Sequence, residues 1–450
     1  MKILTKDKQF YKNFFSLWYV LVLNNIIVLS VGLADNIMLG AYSESALSGA
    51  AACNQIQFIF QQITVGLGSA MVVLGSQYWG QKRTEPIKKT AAGALAVVML
   101  FAVILFIFAA VTPSGVVGIF TDSDEIIKEG VAYLRIIKYT YPLFALSTIL
   151  LAVLRSAESV KIGFRVSVVT LVLNITLNYL FIFGKFGFPE MGAAGAAVAT
   201  LISRAVECII VVVHTVFLDK NLKIKPVEIL KSDSGHIKKY IFTCIPFVIT
   251  DGLFGVSTAL QTVILGHMTD AAIAANSVSS TLYQVLKVAA VGSASAASVI
   301  IGKTIGKGET EKIREYSKTL QFIFICIGLL TGISLFLLRT PILSFYNISD
   351  EAKSLANGFL LVLCVTGIGT AYQMPVNTGI IRGGGDSAFV LKVDLISIWG
   401  IVLPVSFVAA FVFNWHPVAI IACLNADQIF KCLPAAIKVN RYNWIKNLTS

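Results

Sequence analysis

Apolar runs of eighteen or more residues recur along the whole chain, and that recurrence constrains the fold more than any other feature. A bilayer core about 30 Å thick calls for about 20 apolar residues per helix, and lipid leaves no backbone polar group unsatisfied. The runs must therefore be helices. A transmembrane barrel would show alternating segments of about ten residues instead, and none are visible. Twelve spans are expected, over 14–41, 46–76, 90–112, 129–153, 165–184, 191–218, 240–266, 272–302, 319–338, 354–380, 388–412 and 416–438. The chain reads as an all-α membrane protein. The apolar run after the Lys-rich N-terminus is long and carries no cleavage pattern, so no cleavable signal peptide is expected.

The formal net charge of +12 raises the question of nucleic acid, but the distribution of the basic residues answers it. With alternating spans, Lys and Arg gather on one side: at the N-terminus, after every second span (Lys82, Arg83, Lys88 and Lys89, for example) and at the C-terminal end. The opposite loops, such as 42–45 and 413–417, carry almost none. This is the positive-inside pattern of a multi-pass cell-membrane protein with both termini cytoplasmic. Trp79, Trp415 and Trp444 fall near the span ends, where interfacial aromatic residues belong. The seven cysteines are scattered without a Cys-x-x-Cys motif, and the four histidines show no ligand spacing, so neither a disulfide framework nor a zinc site is expected.

Residues 39–88 set against 265–314, a gapless shift of 226, share twelve identities, among them Gly66/Gly292 and Gly80/Gly306. The shift is about half the chain, which divides it into halves 1–219 and 238–450 joined by a polar, Lys-rich cytoplasmic linker at 220–237. Duplicated apolar halves are the mark of a transporter whose substrate path runs between them. The repeat breaks just before the matched stretch, where Asp35 faces Gln261.

The ordered motifs resemble a known family. Leu33-Ala34-Asp35-Asn36-Ile37-Met38-Leu39-Gly40 is similar to the first-helix motif of the multidrug and toxic compound extrusion (MATE) transporters. The stretch from Gly66 to Gln81, the Asn174-x-x-x-Asn178 pair, the Gly192–Thr200 run and the Arg382-Gly-Gly-Gly-Asp386 loop fit the same family in the same order. The resemblance covers essentially the whole chain. It implies a V-shaped pair of homologous six-helix bundles that alternates access and exports organic, often cationic, compounds against a Na⁺ or H⁺ gradient.

A carboxylate as deep in a span as Asp35 is costly and calls for a proton, an ion or a partner. Asn174 and Asn178 are four residues apart and share a helix face, and Thr200 follows in the next span within a small-residue run. One carboxylate, two amides and a hydroxyl make a set of hard oxygen donors suited to a hard cation such as Na⁺. In the family that this chain resembles, the matching positions form the cation site of the N-terminal bundle. Packing alone also explains amides and hydroxyls between helices.

The second half departs from some relatives, whose acids align with Phe254 and Ala371. It offers Asp251, Lys287 and Asp394 instead, for which a structural or gating charge pair, above all between Asp251 and Lys287, is the expectation and direct coupling or substrate contact the alternative. Arg204 and Glu207, three apart, are expected to pair structurally. Asn54, Gln55, Gln57, Gln61 and Gln62 in span two, with Tyr283 and Gln284, are candidates for lining a cavity. Pro246, Pro375 and Pro404 sit mid-span, where they bend helices.

No Walker loop, zinc motif or nucleophile elbow is present, so no enzyme activity is expected. The reading is a cation-coupled antiporter with Na⁺ or H⁺ as coupling ion and no other cofactor, at work on small organic substrates among membrane lipids, without nucleic acid, as a monomer. The alternatives are a lipid-linked saccharide flippase of the same superfamily and, further off, a channel or receptor.

Overall fold

The protein, here a computed structural model, is described over residues 4–119, 121, 123–229, 233–346 and 348–449. Lys2 and Lys231, which contribute to the charge pattern, lie outside the described residues. The helices long and apolar enough to span are α1 (Lys8–Tyr42), α2 (Glu44–Gly80), α3 (Thr84–Val111), then the pair α4 (Asp124–Ile137) and α5 (Thr140–Ser156). After them come α6 (Lys161–Phe183), α7 (Gly192–Leu218), α8 (Ser234–Gly266), α9 (Asp270–Gly306), α10 (Thr310–Phe345), α11 (Asp350–Ile381), α12 (Ser387–Phe411) and α13 (Pro417–Arg441).

Among the described residues eleven helices span singly, and α4 with α5 makes a twelfth span bent by 50°. The sequence reads as a single span over 129–153 there. Pro142, in the first turn of α5, has no N–H to return to the Lys138 carbonyl, and its ring crowds that carbonyl. Thr140 Oγ1 donates to the Ile137 carbonyl at 2.6 Å and closes the corner.

The mid-span prolines act in different ways. Pro246 sits inside α8, whereas Pro375 opens a π-helical turn over Pro375–Ile381 that ends α11. A second π-helical stretch, Leu395–Val402, runs through α12 just ahead of Pro404. Such wide turns re-satisfy the backbone groups that proline frees and mark points where a helix changes direction.

The chain forms two compact units. One comprises 23–75 and 82–251; the other takes the chain up to Val22, 76–81 and everything from Gly252 onward. The 220–237 segment lies within the first unit, and each unit borrows from the opposite sequence half. In the first unit, a Cβ on Gly66 of α2 would sit 3.0 Å from Asp251 Oδ2 and 3.1 Å from the Phe247 carbonyl oxygen of α8. In the second, a Cβ on Gly292 of α9 would meet Val22 of α1 at 2.5 Å. Gly66 and Gly292 are partners in the internal repeat, so the exchange of first-helix segments is reciprocal.

The repeat also explains the end of α2. A Cβ on Gly80 would lie 2.2 Å from the Lys303 carbonyl oxygen, and one on Gly306 would lie 2.0 Å from that of Gln77. The paired glycines Gly80 and Gly306 are thus where α2 and α9 cross backbone to backbone. Only residues without a Cβ allow that approach.

Trp444 does not stand at an interface. It is fully buried, donating from Nε1 to the Val439 carbonyl at 2.8 Å, with its ring 2.2 Å from where a Cβ on Gly384 would be. The Arg382–Asp386 loop is shaped to receive it. Gly385 takes φ +99°, Lys446 N donates to the Gly384 carbonyl at 2.9 Å, and Asp386 pairs with Lys438 at 2.7 Å and Lys446 at 2.8 Å. Gln77 completes the clasp, accepting from Leu448 N at 2.8 Å and donating to the Lys446 carbonyl at 3.1 Å.

Candidate ion-coupling site

The buried residues of α6 are Ile162, Val166, Asn174, Asn178 and Ile182. All are spaced by multiples of four, so they form one stripe along the helix. Two amides thus occupy the inward face at the positions where packing alone asks for apolar side chains. α7 reaches that face because its first turns are nearly bare of side chains: a Cβ on Gly195 would collide with the Phe181 carbonyl oxygen at 2.5 Å. Gly192 opens the helix at φ +54°, a conformation that favours glycine. This close packing carries Thr200 to α6.

Within the first unit the side chains of α1, α6 and α7 form a chain of hydrogen bonds. Asn178 Nδ2 donates to Asp35 Oδ1 and to Asn174 Oδ1 at 3.2 Å. Asn174 Nδ2 in turn reaches Thr200 Oγ1 at 3.5 Å. Asn174 and Asn178 are buried, and the Asn178 carbonyl oxygen has no hydrogen-bond partner among the described residues. An unsatisfied buried acceptor costs about 1–3 kcal/mol, so such a group calls for an occupant. A carboxylate beside an unfilled amide oxygen, with a second amide and a hydroxyl within reach, is a donor set for one hard cation or for a proton on the carboxylate.

Arg204 stands one turn beyond Thr200 on α7. It pairs with Glu207 at 2.7 Å, as the spacing implies, and Glu207 also accepts from Ser147 at 2.9 Å. Arg204 lies over the Phe144 ring at 5.0 Å and acts electrostatically on Asp35 as well. Sequence spacing by itself implies only the ion pair. The four-residue step from Thr200 to Arg204 was the available signal that the guanidinium shares the face of the Asp35 cluster. Asp35 acts electrostatically on Tyr133 of α4 in turn, and the Tyr133 hydroxyl donates to Asn54 Oδ1 at 3.4 Å.

The other candidates of α2 are spread along one helix. Gln55 is exposed, whereas Gln57, Gln61 and Gln62 are half-buried. Gln57 Oε1 is buried without a partner among the described residues.

The charges of the second half are arranged differently from the expected pair. Asp251 belongs to the first unit, where its carboxylate lies against Gly66. Lys287 belongs to the second, where the acidic group that acts on it is Asp427 and its ammonium lies 5.5 Å from the Phe254 ring centroid. Asp394 pairs with Lys431 at 2.8 Å, and Lys431 also holds Asp427 at 2.9 Å. Asp427 and Lys431 lie in the last span, outside the repeat that directed attention to Lys287. Tyr283 donates to or accepts from Thr370 Oγ1 at 2.6 Å, while Gln284 is exposed.

A family model described as MatE matches residues 21–180 and 246–408, most of the chain. The chain belongs to the MATE family of transporters. Among its relatives, the probable multidrug resistance protein NorM of Listeria innocua is 27% identical over 406 residues, covering 89% of this chain and 88% of its own. The multidrug resistance protein MdtK of Pectobacterium atrosepticum is 23% identical, covering 85% and 83%. A crystal structure of the MATE transporter VcmN of Vibrio cholerae superposes with a TM-score of 0.87 at 18% identity over 98% of both chains. That of the eukaryotic MATE transporter AtDTX14 gives 0.84 at 18%, over 98% and 97%. At such identities the likeness concerns the fold, and it makes this MATE protein an all-helical, multi-pass membrane protein.

Proposed function

We propose that this MATE transporter is an antiporter that exports small, drug-like organic compounds in exchange for an inward-moving Na⁺ or H⁺. The observation that carries the reading is the Asp35–Asn178–Asn174–Thr200 cluster, in which a carboxylate deep in a span meets a buried amide oxygen with no partner. A membrane-embedded carboxylate without a fixed countercharge at contact distance is a loading point for a cation. The multidrug resistance names of NorM and MdtK support drug-like substrates, and the absence of nucleotide-binding motifs from the sequence supports an ion gradient as the energy source.

In the proposed cycle the ion or proton loads on Asp35 from the outside, and substrate and ion favour different facing states. Each then releases the other by mutual coupling. Na⁺ uses all the oxygens together and gives Asn174, Asn178 and Thr200 a common reason to be polar. A proton uses Asp35 alone. The Lys and Arg pattern supports cytoplasmic termini, with the 220–237 segment on the same side. There Glu228 pairs with Lys88 at 3.1 Å, its carboxyl held below the usual range by the Lys225 N–H and by Lys88.

Transport in proteoliposomes with the Na⁺ and pH gradients imposed one at a time tests the reading. Efflux of a cationic dye such as ethidium, driven by either gradient, is the expected result, with Na⁺ the more effective. Flux that ignores both gradients would refute it.

A further inference from the structure

The proposed cycle uses one charge in the interior of the first unit, Asp35, and leaves two others there without a role. They are Arg204 and Glu207 of α7. Thr200, Arg204 and Glu207 follow one another by four and three residues, so they share a helix face. Thr200 is also the far end of the hydrogen-bond chain that starts at Asp35. Both Asp35 and Arg204 act electrostatically on Tyr133 of α4, which puts the acid and the guanidinium in one interior.

The guanidinium is fixed from two sides. Its Nη1 donates to Glu207 Oε2 at 2.7 Å, and its Cζ lies 5.0 Å from the centroid of the Phe144 ring of α5. Glu207 is fixed in turn by Ser147 Oγ, which donates to Oε1 at 2.9 Å. The side chains of Arg204 and Glu207 are 25% and 10% exposed, so water screens their charges less than at a surface. The other titratable groups that act on this interior are Tyr133, Tyr141 of α5 and Cys53 of α2. As phenols and a thiol they carry no charge at neutral pH. Two carboxylates and one guanidinium therefore leave a single negative charge, which one monovalent cation balances.

We propose that the Arg204–Glu207 pair sets how tightly Asp35 holds its coupling ion. The guanidinium opposes any cation that arrives at Asp35, Na⁺ and proton alike, and Glu207 limits that opposition. A transport site needs both influences, because an ion must bind well enough to enter and weakly enough to leave. Arg204 and Glu207 do not touch the ion; they act through Asp35, as positioning residues. This deepens the antiporter reading and rests on it only for Asp35 as the place where the ion loads.

The test is the ion dependence of the purified full chain in detergent. A bound ion stabilises the folded protein, so the midpoint of thermal unfolding is followed against Na⁺ at fixed pH and against pH without Na⁺, with Asp35→Asn as the blank. Arg204→Gln removes the opposition. The half-effective Na⁺ concentration should fall by about threefold or more, the effect of a unit charge several ångströms away, and the proton response should move to higher pH. Glu207→Gln keeps an acceptor for Arg204 but leaves the guanidinium unbalanced, so both responses should move the opposite way by a similar factor. The double variant should return towards wild type. A pair that only packs α7 against α5 would lower stability in both single variants without opposite shifts. Shifts in one direction, no shift, or no wild-type ion response beyond that of Asp35→Asn would each overturn the proposal. If Arg204→Gln does not fold, Glu207→Gln decides alone, and an ion response left unchanged or strengthened overturns it. Efflux in proteoliposomes judges the antiporter separately: a protein with opposite binding shifts but no flux under either gradient loses that reading and keeps this one.

Discussion

Asn178 directs both N–H groups of its amide to oxygens, one on Asp35 and one on Asn174, and keeps its own carbonyl oxygen unfilled. This arrangement separates the two candidate ions. Asp35→Asn retains size and hydrogen bonding but removes the charge, so gradient-coupled efflux should fall to background while the protein still reaches the membrane. Efflux from a well-expressed variant equal to wild type would move the coupling to another acid. Asn178→Ala removes one oxygen and the donor that orients two others. Its Na⁺ dependence should weaken by about tenfold or more, as expected when the support of a metal site is lost, with a smaller change in the response to a pH gradient. Na⁺ titrations of efflux at fixed pH measure both effects. Equal weakening of the two responses would favour the proton.

The crossing of α2 and α9 at Gly80 and Gly306 leaves no room for a side chain, since the obstacle on each side is a backbone carbonyl. Gly306→Val must therefore push the helices apart, at a cost of about 1–3 kcal/mol or more for overpacking. The expected outcome is a lower midpoint of thermal unfolding in detergent, together with reduced flux. The C-terminal clasp is a second element-level contact. Trp444→Ala opens a cavity against Gly384 and should cost about 3–5 kcal/mol, as large aromatic truncations in cores do. Burial acts to raise the Asp386 carboxyl, but Lys438 and Lys446 outweigh it and hold the group below its ordinary value of 3.8. The folded carboxyl is the stronger acid, so the clasp contributes fully above the unfolded value and is lost as pH falls through the lower folded one. Between pH 5 and 8 the contribution of Asp386 should be constant, and the effect of Asp386→Asn on unfolding should shrink only in strong acid. An Asp386→Asn penalty that changed across neutral pH would contradict this account.

For the molecule as a whole, the proposed orientation in the membrane rests on the distribution of Lys and Arg, and its test is chemical. A single cysteine in place of exposed Lys225, in a cysteine-free background, should resist an impermeant thiol reagent in intact cells and react once the membrane is opened. Labelling from outside would invert the topology. The interleaved build of the two units sets how mutations spread. Gly66 and Gly292, equivalent in the repeat, each receive a first-helix segment from the opposite half. Substitutions at either should consequently disturb a unit that contains residues from both halves.

Much of this protein is settled by hydropathy and spacing alone, because lipid forces every buried backbone group into a helix. The twelve spans, the duplication and the nearness of Asn174 to Asn178 are local or periodic properties, legible without coordinates. Asp35 was legible for the same reason: a lone acid in an apolar run stands out against its surroundings. What depends on which helices lie side by side was hidden. The bend at Pro142, the burial of Trp444 under a glycine loop, the exchange of first-helix segments and the approach of Arg204 to Asp35 all belong to that class. So does the environment of Lys287, where a lysine and an acid in the last span, more than a hundred residues away, take the place that Asp251 appeared to hold. A charge has no period along a helix. Its partner is chosen by packing in three dimensions, and only the tertiary structure decides it.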